Sequence, residues 1–357
     1  MKKGRIIGLL LFIAVVVISA IALGAGGQGD ILGLPREVQT VKGYVGGEKI
    51  GFLTDPDVVR ILRDRYGLQI DYTKQGSIEM TDADVKSVDF LFPSSQTADA
   101  IFKQKHGSTF KSEKVFYSPI VLYSWDEVLK ALEARNIVKS QGSYYTADMS
   151  ALVDLIRSNT KWSDLGLDLY GNFQVISTDP NLSNSGTMYA ALLADILNGG
   201  IAPDAAGITK ITPQTKQIFA NLGQMESSSA DIFTKYLNLG MGQSPVIVGY
   251  ENQMIEYSQE NPEQWAAAKS KVALVYPEPT VWSEHYLIAL NTKGQALMDA
   301  LLDPELQRIA WEKHGFRTAD TAGGAVAASL GIQQTINKII PVPDAAGMTQ
   351  LLAAIKN

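Results

Sequence analysis

Short apolar runs alternate with amphipathic stretches along the sequence after residue 45. An apolar run of about four to eight residues between turn residues favours a buried strand. Amphipathic stretches, such as residues 56–66 with Val58, Leu62 and Tyr66 on one face, favour helices. The predicted strands are residues 49–53, 68–72, 88–92, 173–177, 245–250 and 272–276. This alternation predicts an α/β fold.

Two further segments are predicted to carry the chain between lobes. Residues 115–123 form a long extended run that suits a first crossing, and residues 286–290 are assigned as the return. About 330 residues follow the N-terminal segment, which is more than one ordinary hydrophobic core accommodates. We therefore expect two lobes.

The N-terminus combines positive charge with a long uncharged run. Basic residues at positions 2, 3 and 5 precede residues 6–25, which contain no charge. This run lies between the roughly 7–15 apolar residues of a secretory signal and the about 20 of a membrane span. Residues 1–27 are predicted to be a cleaved signal peptide or an uncleaved hydrophobic helix, and residues 28–45 a linker. The charge placement directs the following chain outward.

Composition excludes several kinds of site and partner. The sequence contains no cysteine, so it has neither disulfides nor thiolate metal ligands nor a lipid-modified cysteine. The formal net charge is −6, although the N-terminal segment is basic. An acidic body argues against nucleic acid as a partner, because binding to phosphates needs basic surface. Retention at a membrane, if it occurs, would depend on the N-terminal helix.

Polar loops follow several of the predicted strands and open the next helix. They are residues 54–55, 94–95, 183–187 and 250–252. In open α/β sheets, ligands bind at such loops, where helix N-termini present unpaired N–H groups. The predicted ligand-binding residues are Thr54, Ser94, Ser95, Asn184, Ser185, Gly186, Thr187, Tyr250 and Glu251.

Each of these loops also has a purely structural interpretation. Serine, threonine, asparagine and aspartate are the commonest helix caps. Glu251 is either a solvated cap or a group that repels an anion and favours an amine, a hydroxyl or a metal in the ligand. The sequence contains no metal-binding spacing, nucleophile elbow or phosphate loop, so we predict no catalytic residue, metal site or cofactor. A hydrolase that uses cleft carboxylates stays open as an alternative.

The order of these segments resembles the type II periplasmic solute-binding proteins of ABC importers, the group with molybdate-, phosphate- and iron-binding members. The resemblance covers most of the chain after residue 45. Its matching segments are residues 49–53, Phe90-Leu91-Phe92-Pro93-Ser94-Ser95, residues 178–186, Val248-Gly249-Tyr250-Glu251, residues 275–278 and residues 307–317.

This resemblance implies two Rossmann-like lobes joined by two crossing strands, with ligand in the cleft between them. The first lobe would comprise residues 46–121 and 280–357, and the second lobe residues 122–279. In the oxyanion-binding members, hydroxyls and main-chain N–H groups hold the anion. Ser94, Ser95, Ser185 and Thr187 would suit that role.

We expect a non-enzymatic extracytoplasmic protein that captures a small polar or anionic ligand and delivers it to ABC permease subunits. It is expected to act as a monomer, with the membrane as a partner if residues 1–27 are not cleaved. One alternative is a membrane-anchored sensory or regulatory domain of the same fold. The other is the extracytoplasmic hydrolase.

Overall fold

The computed structural model describes residues 37–318 and 329–356. Distances between Cα atoms divide the chain into two compact units, Met1–Val38 and Gln39–Asn357. Residues 37 and 38 are the part of the first unit that the structure describes, and both are exposed and outside any helix or strand. The predicted N-terminal hydrophobic helix, residues 6–25, therefore lies outside the described residues.

The described part of the second unit is a mixed α/β structure. Its strands are β1 (Gln39–Val45), β2 (Leu68–Lys74), β3 (Phe90–Phe92), β4 (Lys111–Trp125), β5 (Val138–Ser140), β6 (Tyr145–Asp148), β7 (Val246–Tyr250), β8 (Val272–Glu278) and β9 (Trp282–Ala289). Its α-helices are Ile50–Thr54, Pro56–Tyr66, Gln96–His106, Asp126–Glu133, Met149–Arg157, Asn184–Leu197, Ala205–Asn221, Ser229–Leu239, Glu251–Glu260, Pro262–Ala268, Thr292–Leu301, Pro304–Glu312 and Ala345–Ile355. In residues 37–318 and 329–356, no helix combines the length and the apolarity that crossing a membrane requires.

The nine strands form one mixed sheet in which β4 belongs to two halves. β1 lies in parallel between β2 and β3, and β9 pairs antiparallel with β3. Residues 111–119 of β4 pair antiparallel with β9. We call β1, β2, β3, β9 and this part of β4 the first sheet half.

The remainder of β4 belongs to the second sheet half, which also contains β5, β6, β7 and β8. Residues 120–125 of β4 pair antiparallel with β7 and with β8. β8 is parallel to β6, and β6 is antiparallel to β5. Beside the centre of β4, the Ile120 N–H donates to the Val281 carbonyl at 3.1 Å, and Thr280 Oγ1 donates to the Ile120 carbonyl at 2.7 Å. The chain thus passes between the halves at β4 and again at residues 279–281.

Helices cover both faces of the sheet, and strand side chains alternate between two buried layers. In β4, Val121 and Tyr123 belong to one hydrophobic cluster, whereas Ile120 and Leu122 belong to another. In β3, Leu91 likewise faces away from the cluster that contains its two neighbours. This period of two follows from strand geometry, and burial on both faces explains why the predicted strands are nearly continuous apolar runs.

Most of the predicted elements are confirmed. Residues 68–72, 88–92, 245–250 and 272–276 lie in or directly beside β2, β3, β7 and β8. The extended run at residues 115–123 lies within β4. The helix predicted after Thr54 begins at Pro56, where the Asp55 carboxylate accepts from the N–H groups of the first turn.

Two predicted strands are wrong. Residues 173–177 are not a strand, although Ile176 forms an isolated parallel bridge with Ile247 of β7. Residues 49–53 end a 3-10 helix and form the α-helix Ile50–Thr54. The first strand lies earlier, at residues 39–45, which the sequence assigns to the linker. An apolar run this short lacks a periodicity that separates strand from helix. The helix is stabilised by burying Phe52 in the core of the first sheet half.

The C-terminal part of the chain differs from the assignment of residues 280–357 to one lobe. The apolar side chains of helix Ala345–Ile355 belong to the core cluster of the second sheet half. This helix packs mainly against Ala205–Asn221 and also contacts Gln96–His106 of the first half. The predicted return crossing at residues 286–290 also differs, because these residues lie in and just after β9.

Candidate functional site

A cavity of about 350 Å³ lies between segments of the two sheet halves. This volume is in the range of small-molecule sites, which is roughly 300–1,000 Å³. The first half contributes the segments that follow β1 and β2, and the second half contributes two loops that precede helices packed on β7. The lining residues are Gly46, Gly47, Glu48, Lys74, Gln75, Gly76, Ser77, Glu79, Leu182, Ser183, Asn184, Ser227, Ser228 and Ser229.

Two helices of the second half begin at this cavity. Ser183 precedes helix Asn184–Leu197 in extended conformation, and its hydroxyl bonds to Ser185 Oγ at 3.1 Å instead of capping the helix. Ser228 precedes helix Ser229–Leu239 and accepts from the Ala230 N–H at 3.3 Å. The first N–H groups of a helix have no partner within the helix and lie at its positive end. Both starts can therefore donate to acceptor groups in the cavity.

Local hydrogen bonds build the loop before helix Asn184–Leu197. Asp179 accepts from the Asn181 N–H through its carboxylate at 2.8 Å and from the Ser183 N–H through its carbonyl at 2.9 Å. Thr187 Oγ1 donates to the Pro180 carbonyl at 2.7 Å. A Cβ on Gly186 would lie 2.4 Å from the Thr178 carbonyl oxygen, so the loop folds closely over the helix start.

Asn184 connects the two sheet halves across the inner end of the cavity. Its Nδ2 lies 2.6 Å from the Ser94 carbonyl, which follows β3 of the first half. The same nitrogen lies 3.0 Å from the hydroxyls of Tyr250 in β7 and Ser283 in β9. Ser283 Oγ also donates to the Ser94 carbonyl. The structure thus brings together three residues that the sequence predicts as ligand-binding: Ser94, Asn184 and Tyr250.

Two more contacts join the two sheet halves near the solvent. Lys74 Nζ donates to Ser228 Oγ at 3.1 Å, which links the end of β2 to a helix start of the second half. A Cβ on Gly76 would lie 2.6 Å from the Leu182 carbonyl oxygen. A glycine at position 76 is therefore required for the two loops to approach this closely.

A buried charged cluster lies behind Asn184. Lys49 Nζ donates to Glu48 Oε1 and to Ser94 Oγ, each at 2.5 Å, and lies 3.3 Å from His285 Nδ1. Ser94 Oγ in turn donates to Glu48 Oε1. Lys49 and His285 are fully buried. Because an ammonium group only donates, Nδ1 accepts and the proton of the neutral ring lies on Nε2, which has no partner among the described residues.

Burial and charge act in opposition on the pKa values of this cluster. Burial raises the pKa of Glu48, but the charge of Lys49 and hydrogen bonds from Lys49 and Ser94 outweigh it and hold the pKa at about 2. Burial lowers the pKa of Lys49, and Glu48 opposes that effect. Burial and the Lys49 charge lower the pKa of His285 well below its usual value, so its imidazole is neutral. The cluster is therefore an internal ion pair with a neutral histidine.

The other predicted site residues have local roles. Ser95 caps helix Gln96–His106 by accepting from the Ala98 N–H at 3.2 Å. Ser185 Oγ pairs with Thr178 Oγ1 at 2.8 Å. Thr54 lies at the exposed end of its short helix, where its hydroxyl donates to the Ile50 carbonyl. Together with Gly186 and Thr187 in the loop described above, these residues are not among those that line the cavity.

Glu251 is buried and already paired. Nε and Nη2 of Arg317 bind its two carboxylate oxygens, the second at 3.0 Å, and the Tyr276 hydroxyl donates to Oε2 at 2.8 Å. Burial lowers the pKa of Arg317, but Glu251 outweighs this and raises it. The pair joins the start of helix Glu251–Glu260 to the segment after helix Pro304–Glu312.

Most residues of the cavity lining are not among those predicted from the sequence. Lys74-Gln75-Gly76-Ser77 is a polar segment that directly follows a confirmed strand. The criterion that selected Ser94, a polar residue after a predicted strand, therefore applies to it as well. Ser227-Ser228-Ser229 carries the same helix-start signal as Ser183, but no predicted strand precedes it. Glu48 and Lys49 had no local signal, because charged residues beside glycines are typical of exposed turns. Within the described residues, no group of three or more His, Cys, Asp or Glu is arranged to hold a metal ion.

The fold is that of the type II periplasmic solute-binding proteins of ABC transporters. The substrate binding protein of an ABC transporter from Agrobacterium tumefaciens matches with a TM-score of 0.58 and 13% identity, over 90% of this chain and 95% of that one. Apo ferric ion-binding protein A from Pasteurella haemolytica matches with a TM-score of 0.55 and 13% identity, over 88% of this chain and 95% of that one. The sulfate-binding protein SubI from Mycobacterium tuberculosis H37Rv matches with a TM-score of 0.52 and 14% identity, over 87% of this chain and 96% of that one.

No protein-family model matches the sequence, and no curated protein matches it either. The similarity to solved structures concerns the fold, because identity is low throughout. Several different ligands occur among the proteins that share this fold, as the names of the ferric ion-binding and sulfate-binding proteins show.

Proposed function

We propose that this protein is an extracytoplasmic solute-binding protein that captures a small polar or anionic ligand and delivers it to an ABC permease. The observation that carries the proposal is the cavity lined from both sheet halves, with Asn184 of one half bonded to the Ser94 carbonyl of the other at 2.6 Å. A ligand held there contacts both halves at once. Such a ligand shifts the equilibrium between open and closed arrangements through its extra contacts in the closed one.

In this proposal, the sheet halves are the cores of two Rossmann-like lobes. The crossings are the centre of β4, near the predicted boundary between residues 121 and 122, and residues 279–281, near the predicted boundary at 279. Helix Ala345–Ile355 is reassigned to the second lobe, because its apolar face is buried there. Residues 282–317 complete the first lobe.

The chemistry of the lining supports binding without catalysis. Hydroxyl and backbone N–H donors hold a ligand through reversible hydrogen bonds, and a hydroxyl that no base activates is a weak nucleophile. Glu251, the one carboxylate among the predicted ligand-binding residues, is paired with Arg317. We therefore propose a non-enzymatic monomer whose partners are the ligand and the permease.

A thermal-shift screen of ligand-stripped protein tests this function. The panel contains sulfate, phosphate, ferric citrate, amino acids, sugars and polyamines. A compound at 100 times its dissociation constant stabilises the folded state by about 2.7 kcal/mol. We expect at least one class to raise the melting temperature. A panel without any such compound contradicts the proposal.

Gly76→Ala then tests whether binding depends on closure. The added Cβ would lie 2.6 Å from the Leu182 carbonyl oxygen, so it should hold the two loops apart. We expect at least tenfold weaker binding of the compound that the screen identifies. Gly242→Ala is the matched control, because a Cβ there meets nothing within 4 Å. Equal affinity in both variants would contradict a closing cleft.

A further inference from the structure

The cavity offers donors and acceptors at the same time. Lys74 and the starts of helices Asn184–Leu197 and Ser229–Leu239 provide positive charge and N–H donors. Glu79 lines the same cavity and has no ion-pair partner among the described residues. A ligand that carries both kinds of group would use both sets.

Two residues of the lining carry an amide oxygen that accepts no hydrogen bond from the described residues. Asn184 is only 6% exposed, and its Oδ1 has no hydrogen-bond partner among residues 37–318 and 329–356. Gln75 Oε1 is also a buried atom without a hydrogen-bond partner among these residues. An amide oxygen only accepts, so each lacks the donor that it needs, although the residue that carries it lines the cavity. Leaving a buried acceptor without a donor is unfavourable.

Simple ions do not provide what this lining requires. Fully ionised sulfate has no donor for Asn184 Oδ1 or Gln75 Oε1, and it would be repelled by Glu79. A purely cationic amine would be repelled by Lys74 and by the two helix starts. The cavity volume of about 350 Å³ also corresponds to roughly twelve water molecules at about 30 Å³ each, more than one tetrahedral anion needs.

We infer that the cavity binds a small organic zwitterion, a molecule with an anionic group and an ammonium group a few bonds apart. This inference rests on the proposed function and specifies its ligand class. The anionic group would bind at Lys74 and the helix starts. The ammonium group would bind at Glu79 and the oxygens of Gln75 and Asn184.

Isothermal titration of the ligand-stripped full chain with matched probes tests the inference. The probes are taurine against ethanesulfonate, β-alanine against propionate, and 2-aminoethylphosphonate against ethylphosphonate, with ethylamine and inorganic sulfate as single-charge references. We expect one zwitterion to bind at least tenfold more tightly than its amine-free partner and than ethylamine. Amine-free partners that bind equally well would overturn the inference.

Glu79→Gln separates the ligand class from the capture function. This variant should weaken binding of the preferred zwitterion at least fivefold and leave its amine-free partner within twofold. Glu263→Gln, at an exposed position on helix Pro262–Ala268, is the matched control and should change neither affinity. If no zwitterion binds while another compound of the thermal-shift panel does, the inference fails and the capture function stands. If nothing in either set binds, both fail.

Discussion

Asp195 is fully buried in helix Asn184–Leu197, and neither of its carboxylate oxygens has a partner among the described residues. Burial raises its pKa to about 8. A carboxyl group whose pKa is higher in the folded than in the unfolded state favours folding at low pH. Between about pH 4 and pH 8, the unfolded chain releases this proton and the folded chain keeps it, which costs about 1.4 kcal/mol per pH unit.

Asp195→Asn removes this titration while preserving the shape of the side chain. We expect the variant to be close to the parent in stability at pH 4 and progressively more stable than it toward pH 8. Urea unfolding followed by circular dichroism at pH 4, 6 and 8 measures the difference. A difference that does not grow with pH would show that Asp195 has a partner that ionises with it.

At the scale of elements, the Glu251–Arg317 pair determines how helix Glu251–Glu260 is attached. Arg317 also donates from Nη1 to the Gln334 carbonyl at 2.7 Å, so the pair links three separate parts of the chain. Glu251→Gln leaves a buried guanidinium without its counter-charge. We expect a loss of about 3–5 kcal/mol in the free energy of unfolding. Denaturant titration at neutral pH measures it.

The control for this substitution is Glu312→Gln. Glu312 pairs with Arg308 on the surface of one helix, where both side chains are largely exposed. Such a pair contributes about 0–1 kcal/mol. If Glu251→Gln were as mild as the control, the buried pair would not hold these elements together.

At the scale of the whole molecule, one strand shared by both halves predicts one cooperative unfolding transition. Leu297 is buried in the core of the first half, and helix Asn184–Leu197 belongs to the second. Leu297→Ala should cost about 2–5 kcal/mol through the cavity that it creates. Because β4 cannot stay paired in one half while the other half unfolds freely, the loss of stability should appear in both halves.

Hydrogen exchange followed by mass spectrometry checks this expectation. In Leu297→Ala, peptides from helix Asn184–Leu197 should lose as much protection as peptides from β1. The reciprocal variant, Leu192→Ala in the second half, should lower the protection of β1 in the same way. Unchanged protection in the half without the substitution would show that the halves unfold independently.

Local signals in the sequence determined the α/β class, most strands and the helix starts. The alternation of apolar runs depends on neighbours a few residues apart, and the cap at Asp55 needs only Asp57 and Val58. The hydrogen bonds of Asp179 to Asn181 and Ser183, and of Thr187 to Pro180, likewise join residues fewer than ten positions apart. These features follow from the chain itself, because the interacting groups are close in sequence.

Only the tertiary structure decided which polar groups meet. Lys49 lies beside His285, 236 positions away, and Asn184 bonds to Ser94 across 90 positions. No local pattern encodes such pairs, because their energy appears only when distant segments are packed together. For the same reason, the sequence identified Asn184 as a helix start but could not show that it joins two halves of a sheet.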